Sequence, residues 1–301
     1  MENTPFSGTG VALVTPFRDD GSIDVEDLRK HVEFQIENGV GVLVPGGTTG
    51  EGATLSVDEQ RLLISTTVET ARGRTPVLAG AGGSDTADVV RKARAARQAG
   101  ADGILSVSPA YNKPTQRGLI EHYRAVSGAV DCPVIIYNVP GRTASNVLPE
   151  TVLALAEIDN IAGVKEASGD IDQVMTLIQE RPENFTILSG DDLLTFPLLA
   201  AGADGVISVV ANVAPALMSQ MVASALGGDY DAARKLHYRL LPLMRALFVE
   251  TNPIPVKAAL EIMGRRQAHF RLPLVRPTAE VESFLRNVLA DVGLLDAEGA
   301  T

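Results

Sequence analysis

The chain has 301 residues, is 45% hydrophobic and carries a net charge of -11, enough apolar mass for a sizeable core and the wrong sign for gripping nucleic-acid phosphates. Its one cysteine, Cys132, excludes an internal disulfide, and His31, His122, His237 and His269 are too scattered to frame a metal site. No apolar run reaches the roughly 18 residues needed to cross a membrane and the opening residues lack a leader pattern, so a soluble, cytoplasmic protein is expected.

From residue 10 onward a short apolar strand followed by a helix recurs. Residues 10–17 read as the first strand and 24–38 as its helix, stopped by Gly39. The second strand falls at 40–45 and its helix at 57–71, where Ser56 and Glu59 form a capping-box signature. Strand three, 76–80, precedes a helix at 85–98 ended near Gly100. Strands four and five, 103–108 and 133–137, are followed by helices at 116–129 and 149–156, the second opening on Pro149. The sixth strand is 161–164, the seventh 185–189 with a short helix near 193–200, and the eighth 205–210. Short continuous runs of Val, Ile and Leu mark parallel strands covered on both faces. Eight such units predict a (β/α)8 TIM barrel over residues 1–226. An open dinucleotide-binding sheet is disfavoured, because the turn Thr15-Pro16-Phe17 has none of the glycines of that fingerprint. Helical periodicity at 229–250, 255–263 and 278–292, broken at Asn252-Pro253 and Leu272-Pro273, predicts a C-terminal helical region, 227–301, packed on the barrel.

Of the six lysines, only Lys165 lies directly on an apolar strand run. A lysine among apolar neighbours has its charged form penalised, which frees the amine to form a Schiff base with a keto acid, an electron sink for carbon–carbon chemistry. The plainer reading is a strand-end lysine paired with Glu166. In a barrel of this kind, chemistry sits at the carboxyl ends of the strands. After strand two, the turn from Gly46 to Glu51 can aim backbone N–H groups and the hydroxyls of Thr48 and Thr49 at a small carboxylate; alternatively it is an ordinary turn. The loop after strand four carries Tyr111, and strand five ends in Tyr137, on the same face as Ile135. A phenol there can relay protons to a carbonyl oxygen, or be a plain strand aromatic. Arg142, just beyond, offers a planar fork to a second carboxylate, or is a surface charge. Thr48, Tyr111, Tyr137, Arg142 and Lys165 would all fall at one barrel mouth, from four different strands. Independent surface accidents would not gather there.

Gly-Thr-Thr-Gly-Glu at 47–51, Tyr-Asn-Val-Pro-Gly-Arg-Thr at 137–143, Gly-Val-Lys-Glu-Ala-Ser-Gly-Asp at 163–170 and Leu-Ser-Gly-Asp-Asp at 188–192 resemble the dihydrodipicolinate synthase family. More broadly they resemble the pyruvate-dependent class I aldolases that include N-acetylneuraminate lyase. The likeness runs from about Gly8 to Lys257 and beyond. It implies that Lys165 forms a Schiff base with pyruvate and that no other cofactor and no metal take part. Tyr137, Thr48 and Tyr111 would form a proton relay, Tyr111 reaching across from a neighbouring subunit. Thr48 and Thr49 would hold the pyruvate carboxylate and Arg142 that of the aldehyde, while Gly190 and Ile207 would line the pocket through main-chain groups. The implied reaction condenses pyruvate with L-aspartate-4-semialdehyde to 4-hydroxy-tetrahydrodipicolinate, on the path to lysine, in a homotetramer built as a pair of dimers. Nucleic-acid and membrane partners are not expected.

Two other readings remain open at this point. One is a paralogous aldolase or dehydratase acting on another 2-keto acid or a 2-keto-3-deoxy sugar acid. The other is a keto-acid sensor without turnover, for which a proton relay would be superfluous. The chain also departs from the family pattern, with Ala110 where a tyrosine normally precedes Tyr111. Lysine-inhibited members bind lysine in a cleft at the tight dimer interface. They place histidines where this chain has Val57 and Gln60, asparagine at Ser84, glutamate at Asp88 and tyrosine at Ala110. Insensitivity to lysine is therefore expected.

Overall fold

The computed structural model describes residues 6–295. The ends of the expected first and last segments, residues 1–5 and 296–301, lie outside the described residues. The strands are β1 (Gly8–Ala12), β2 (Val42–Val44), β3 (Leu78–Gly80), β4 (Gly103–Val107), β5 (Val134–Asn138), β6 (Ile161–Glu166), β7 (Thr186–Ser189) and β8 (Gly205–Ser208). The helices are α1 (Val25–Glu37), α2 (Val57–Ala71), α3 (Thr86–Gln98), α4 (Gln116–Ser127), α5 (Pro140–Thr143) and α6 (Pro149–Ala156). They continue with α7 (Ile171–Glu180), α8 (Thr195–Ala201), α9 (Pro215–Leu226), α10 (Tyr230–Ala246), α11 (Ile254–Ile262) and α12 (Ala279–Val292).

All strand pairs in the ladder are parallel, in the order β2-β1-β8-β7-β6-β5-β4-β3. A parallel bridge from Leu43 to Val77 joins the two ends of that order and closes the circle. The result is the (β/α)8 barrel with a C-terminal helical part that the strand–helix alternation predicts. Leu78, Leu105, Ile135, Leu188 and Ile207 fill the barrel interior together with Tyr137. Phe6 stops its amino end so closely that a Cβ on Gly103 would strike the Phe6 ring. The outward faces of the strands pack beneath the helices, as strands covered on both sides must.

Polar side chains start most of the helices. Asp24, Asp85, Thr115, Asp170, Asp229 and Thr278 each accept from a first-turn amide, and Ser56 with Glu59 makes the expected reciprocal capping box. Helices α10 to α12 share one apolar core with α1 and α9, through Leu240, Leu243, Leu260, Leu285, Met218 and Val32.

Three details differ from the sequence reading. β1 ends at Ala12 rather than continuing to 17, because only Leu13 still donates to Val44 across the ladder. Beyond it, Val14 N–H turns to the side chain of Asn212 and Phe17 bridges back to Ile23. Helices α7 and α9 follow β6 and β8, where the sequence reading assigned none. The Pro-Gly-Arg-Thr stretch expected as a loop is the one-turn helix α5, with Pro140 opening it.

Candidate active site

The carboxyl end of β6 carries Lys165, paired with Tyr137 on β5 and with Leu188 on β7. Equal parity in neighbouring parallel strands sends both polar side chains into the barrel. Lys165 is 6% exposed and its Nζ stands 4.2 Å from the centroid of the Tyr137 ring. Among the described residues it makes no hydrogen bond or ion pair. Glu166, the partner of the plainer reading, points to the opposite face of β6. There it accepts from Asn138 Nδ2 at 3.0 Å, Ser168 N at 2.6 Å and Gln173 Nε2 at 3.2 Å. Burial pushes its carboxyl above the usual carboxylate range, and these donors pull the other way. Lys165 is thus a buried amine with an aromatic neighbour and no counter-charge.

Glycine is required beside it. A Cβ on Gly190 would lie 2.6 Å from the Ala167 Cβ and 3.1 Å from the Lys165 Cε, so any larger residue would push on the lysine chain. Gly190 N–H is spent on the Glu166 carbonyl at 2.7 Å. Ile207 is buried on β8 within the same interior cluster. Asp192, wholly buried, accepts from Val209 N and Val210 N and so ties the end of β7 to that of β8.

Above Tyr137 opens a cavity of about 510 Å³, lined among others by Thr48, Ser108, Ala110, Tyr137, Arg142 and Asn252. The turn between β2 and α2 forms one wall. Close contacts dictate glycine here: a Cβ on Gly52, or on Gly80 at the end of the neighbouring β3, would collide with the Gly46 carbonyl, and one on Gly50 would sit 2.9 Å from the Leu13 carbonyl. Thr15 Oγ1 donates to Gly50 O at 2.6 Å and fixes the turn from below. Thr48 faces the cavity, whereas Thr49 is buried and its Oγ1 accepts from Asn252 Nδ2 at 2.9 Å. Arg142 stands exposed on the rim, with Nη2 donating to the Asn252 carbonyl at 3.3 Å.

The cavity lining includes none of Lys165, Thr49, Gly190 and Ile207, and Tyr111 stands out in solvent. It is 92% exposed, on a loop where both Tyr111 and Lys113 hold positive φ, and it does not line the cavity. The sequence reading also missed Asn252, Lys257 and Arg271. These come from the C-terminal region and touch the turn at Thr49 and Glu51. The available signal was Lys257 itself, one charge within the otherwise apolar run Ile254–Ile262 apart from Glu261. Among the described residues no cluster could hold a metal ion, and no helix is long and apolar enough to cross a membrane.

A parallel eight-stranded barrel, with a buried amine and convergent polar groups at the carboxyl ends of its strands, defines a (β/α)8-barrel enzyme. The profile of the dihydrodipicolinate synthetase family matches residues 5–291, and the chain belongs to that family. A 4-hydroxy-tetrahydrodipicolinate synthase of Koribacter versatilis is 51% identical over 289 residues, covering 96% of each chain. The crystal structure of a chloride-inhibited dihydrodipicolinate synthase from Acinetobacter baumannii, complexed with pyruvate, superposes with a TM-score of 0.94 at 43% identity, covering 96% of this chain and 99% of that one. A synthase from Cyanidioschyzon merolae with lysine bound gives a TM-score of 0.94 at 38% identity over the same shares.

Proposed function

We propose that the protein is a lyase of the 4-hydroxy-tetrahydrodipicolinate synthase type, condensing pyruvate with L-aspartate-4-semialdehyde in lysine biosynthesis. The observation that carries this is the Lys165 amine, 6% exposed and facing the Tyr137 ring at 4.2 Å, with no counter-ion among the described residues. An amine so placed adds to the keto carbon of pyruvate, water leaves, and the iminium withdraws electrons from the neighbouring methyl group. Loss of a methyl proton gives an enamine, whose carbon attacks the aldehyde. The near-complete coverage of relatives that carry this name favours the reading over a paralogous aldolase or a non-catalytic sensor.

Roles follow from position. Tyr137 and Thr48, on one cavity, would pass protons to and from the carbonyl oxygen, as general acid–base groups must lie within hydrogen-bond reach of it. Thr48 and Thr49 would receive the pyruvate carboxylate and Arg142 the carboxylate of the semialdehyde, with Gly190 and Ile207 shaping the floor. Tyr111, exposed and held at positive φ, is suited to enter the site of a neighbouring subunit, which supports a dimer-based homotetramer. The proposed chemistry calls for no metal or further cofactor, and a biosynthetic role of this kind fits a cytoplasmic enzyme.

Borohydride added with pyruvate should convert Lys165 into a stable secondary amine, since an imine is reducible and the parent amine is not. Peptide mapping by mass spectrometry reads the site. Label on another lysine, or none at all, would refute the mechanism.

A further inference from the structure

At the edge of the cavity lies an ion pair that the condensation itself does not use. Glu51 and Lys257 have side chains only 1% exposed, and Nζ lies 2.5 Å from Oε1. Two charges taken so far from water seldom stabilise a fold, because desolvation offsets their attraction and an apolar pair of similar volume often serves as well. Their surroundings indicate another purpose. Glu51 sits in the left-handed region at φ 54°, which is unfavourable for any residue but glycine, and its N–H donates to Thr48 O at 3.1 Å. The glycines at 50 and 52 can offer the turn no side-chain anchor. Glu51 is therefore its one long handle, and both carboxylate oxygens are held by the C-terminal region. Oε1 takes Lys257, and Oε2 accepts from Arg271 N at 3.3 Å. Lys257 in turn has Glu51 as its carboxylate, with the rings of Phe17 and Phe270 at 4.5 and 5.2 Å. A second tie runs alongside, from Asn252 Nδ2 to Thr49 Oγ1.

We propose that Lys257 is a positioning residue: through Glu51 it sets the turn at 46–52 so that Thr48 and Thr49 meet the keto-acid carboxylate. The C-terminal helices thereby complete the pyruvate half of the site. This rests on the pyruvate reading above. A buried ion pair has a narrow optimum of distance and direction, whereas an apolar contact tolerates sliding, so the pair specifies the position of the turn more than it stabilises it.

The test compares Lys257→Met, Lys257→Arg and the double variant Glu51→Gln/Lys257→Met. Lys257→Met leaves a carboxylate buried without its cation and should melt lower. The double variant leaves no charge unpaired and should regain most of the melting temperature. Its half-saturating pyruvate should nevertheless rise about tenfold, in turnover and in borohydride trapping alike, while half-saturating semialdehyde stays within about twofold. Lys257→Arg, which keeps the charge, should recover part of the pyruvate affinity. If Lys257→Met fails to fold, the double variant carries the comparison. A folded double variant with unshifted pyruvate dependence would overturn the positioning role, since a purely structural pair moves stability alone. Absence of pyruvate trapping in the unaltered protein would instead remove the proposed function, and this inference with it.

Discussion

At Arg142 the site meets solvent, and among the described residues the guanidinium is anchored only by the Asn252 carbonyl at 3.3 Å. Nη1 and Nε remain available to a ligand, a geometry that matches a planar carboxylate. Arg142→Ala should lower kcat/KM for the semialdehyde by the equivalent of about 2 to 4 kcal/mol while borohydride trapping with pyruvate persists. Steady-state kinetics with the semialdehyde varied would check this, and an unchanged kcat/KM would make Arg142 a surface charge. Lys165 and Arg142 were legible in the sequence because each stands in a contiguous motif at a strand end. Asn252 and Lys257 were not, because their partners Thr49 and Glu51 lie 203 and 206 residues away and no local pattern records such a pairing.

Among the elements, the strands were readable because each is a short Val, Ile and Leu run with both faces covered. Helix α9 was not, since Pro215–Leu226 is apolar on nearly every side, wedged between β1, β8 and α10, and shows no amphipathic stripe. Helix α7 was hidden by its own start, where Asp170 belongs to a turn and at the same time caps Gln173 N. Helix α3 bears on regulation. Its Asp88, standing where lysine-inhibited members carry glutamate, is already paired with Arg91 and Lys92 at 3.0 Å each. Hydrogen bonding to Lys92, above all, holds this carboxyl below its ordinary value, against the effect of burial. Ser84 Oγ is spent on the Ala110 carbonyl at 2.8 Å, and Gln60 Nε2 on the Gly80 carbonyl. A cationic amino acid entering there would find its acid neutralised and its hydroxyl donors missing, at about 1 kcal/mol or more for each lost contact. Activity at saturating pyruvate should therefore be unaffected by millimolar lysine; inhibition below a millimolar would show that the cleft is assembled from other residues.

For the molecule as a whole, buried histidines couple stability to pH. His122 is buried against Tyr123 and bonded to Thr86 Oγ1 at 2.9 Å, and burial pushes its ring down from 6.5 to about 4. His31, bonded to Asn212 and wholly buried, is likewise pushed well below the usual imidazole value, first by burial and then by Arg266. The unfolded chain binds these protons near pH 6.5 and the folded chain resists them. Stability is thus complete above about pH 6.5 and falls as pH drops toward 4, by on the order of 2 to 3 kcal/mol for His122. Glu166 and Asp192, whose carboxyls burial pushes up, act in the opposite sense, because the fold keeps protons there that the unfolded chain releases. Urea midpoints at pH 7, 6 and 5 should show a slope that His122→Gln reduces, and an identical slope in the variant would exclude His122 as its source. The seam between β1 and β8 reaches furthest, for it joins Gly8 to Gly205 and Val11 to Ser208. On a ribosome the first strand is finished long before its neighbour exists. Through most of translation the nascent sheet presents an open, hydrogen-bond-hungry edge that only the arrival of residues 205–208 can cover. A chain ended at residue 204 should sediment as aggregate where the full chain stays in the supernatant, so premature termination here would yield insoluble fragments rather than a smaller working barrel.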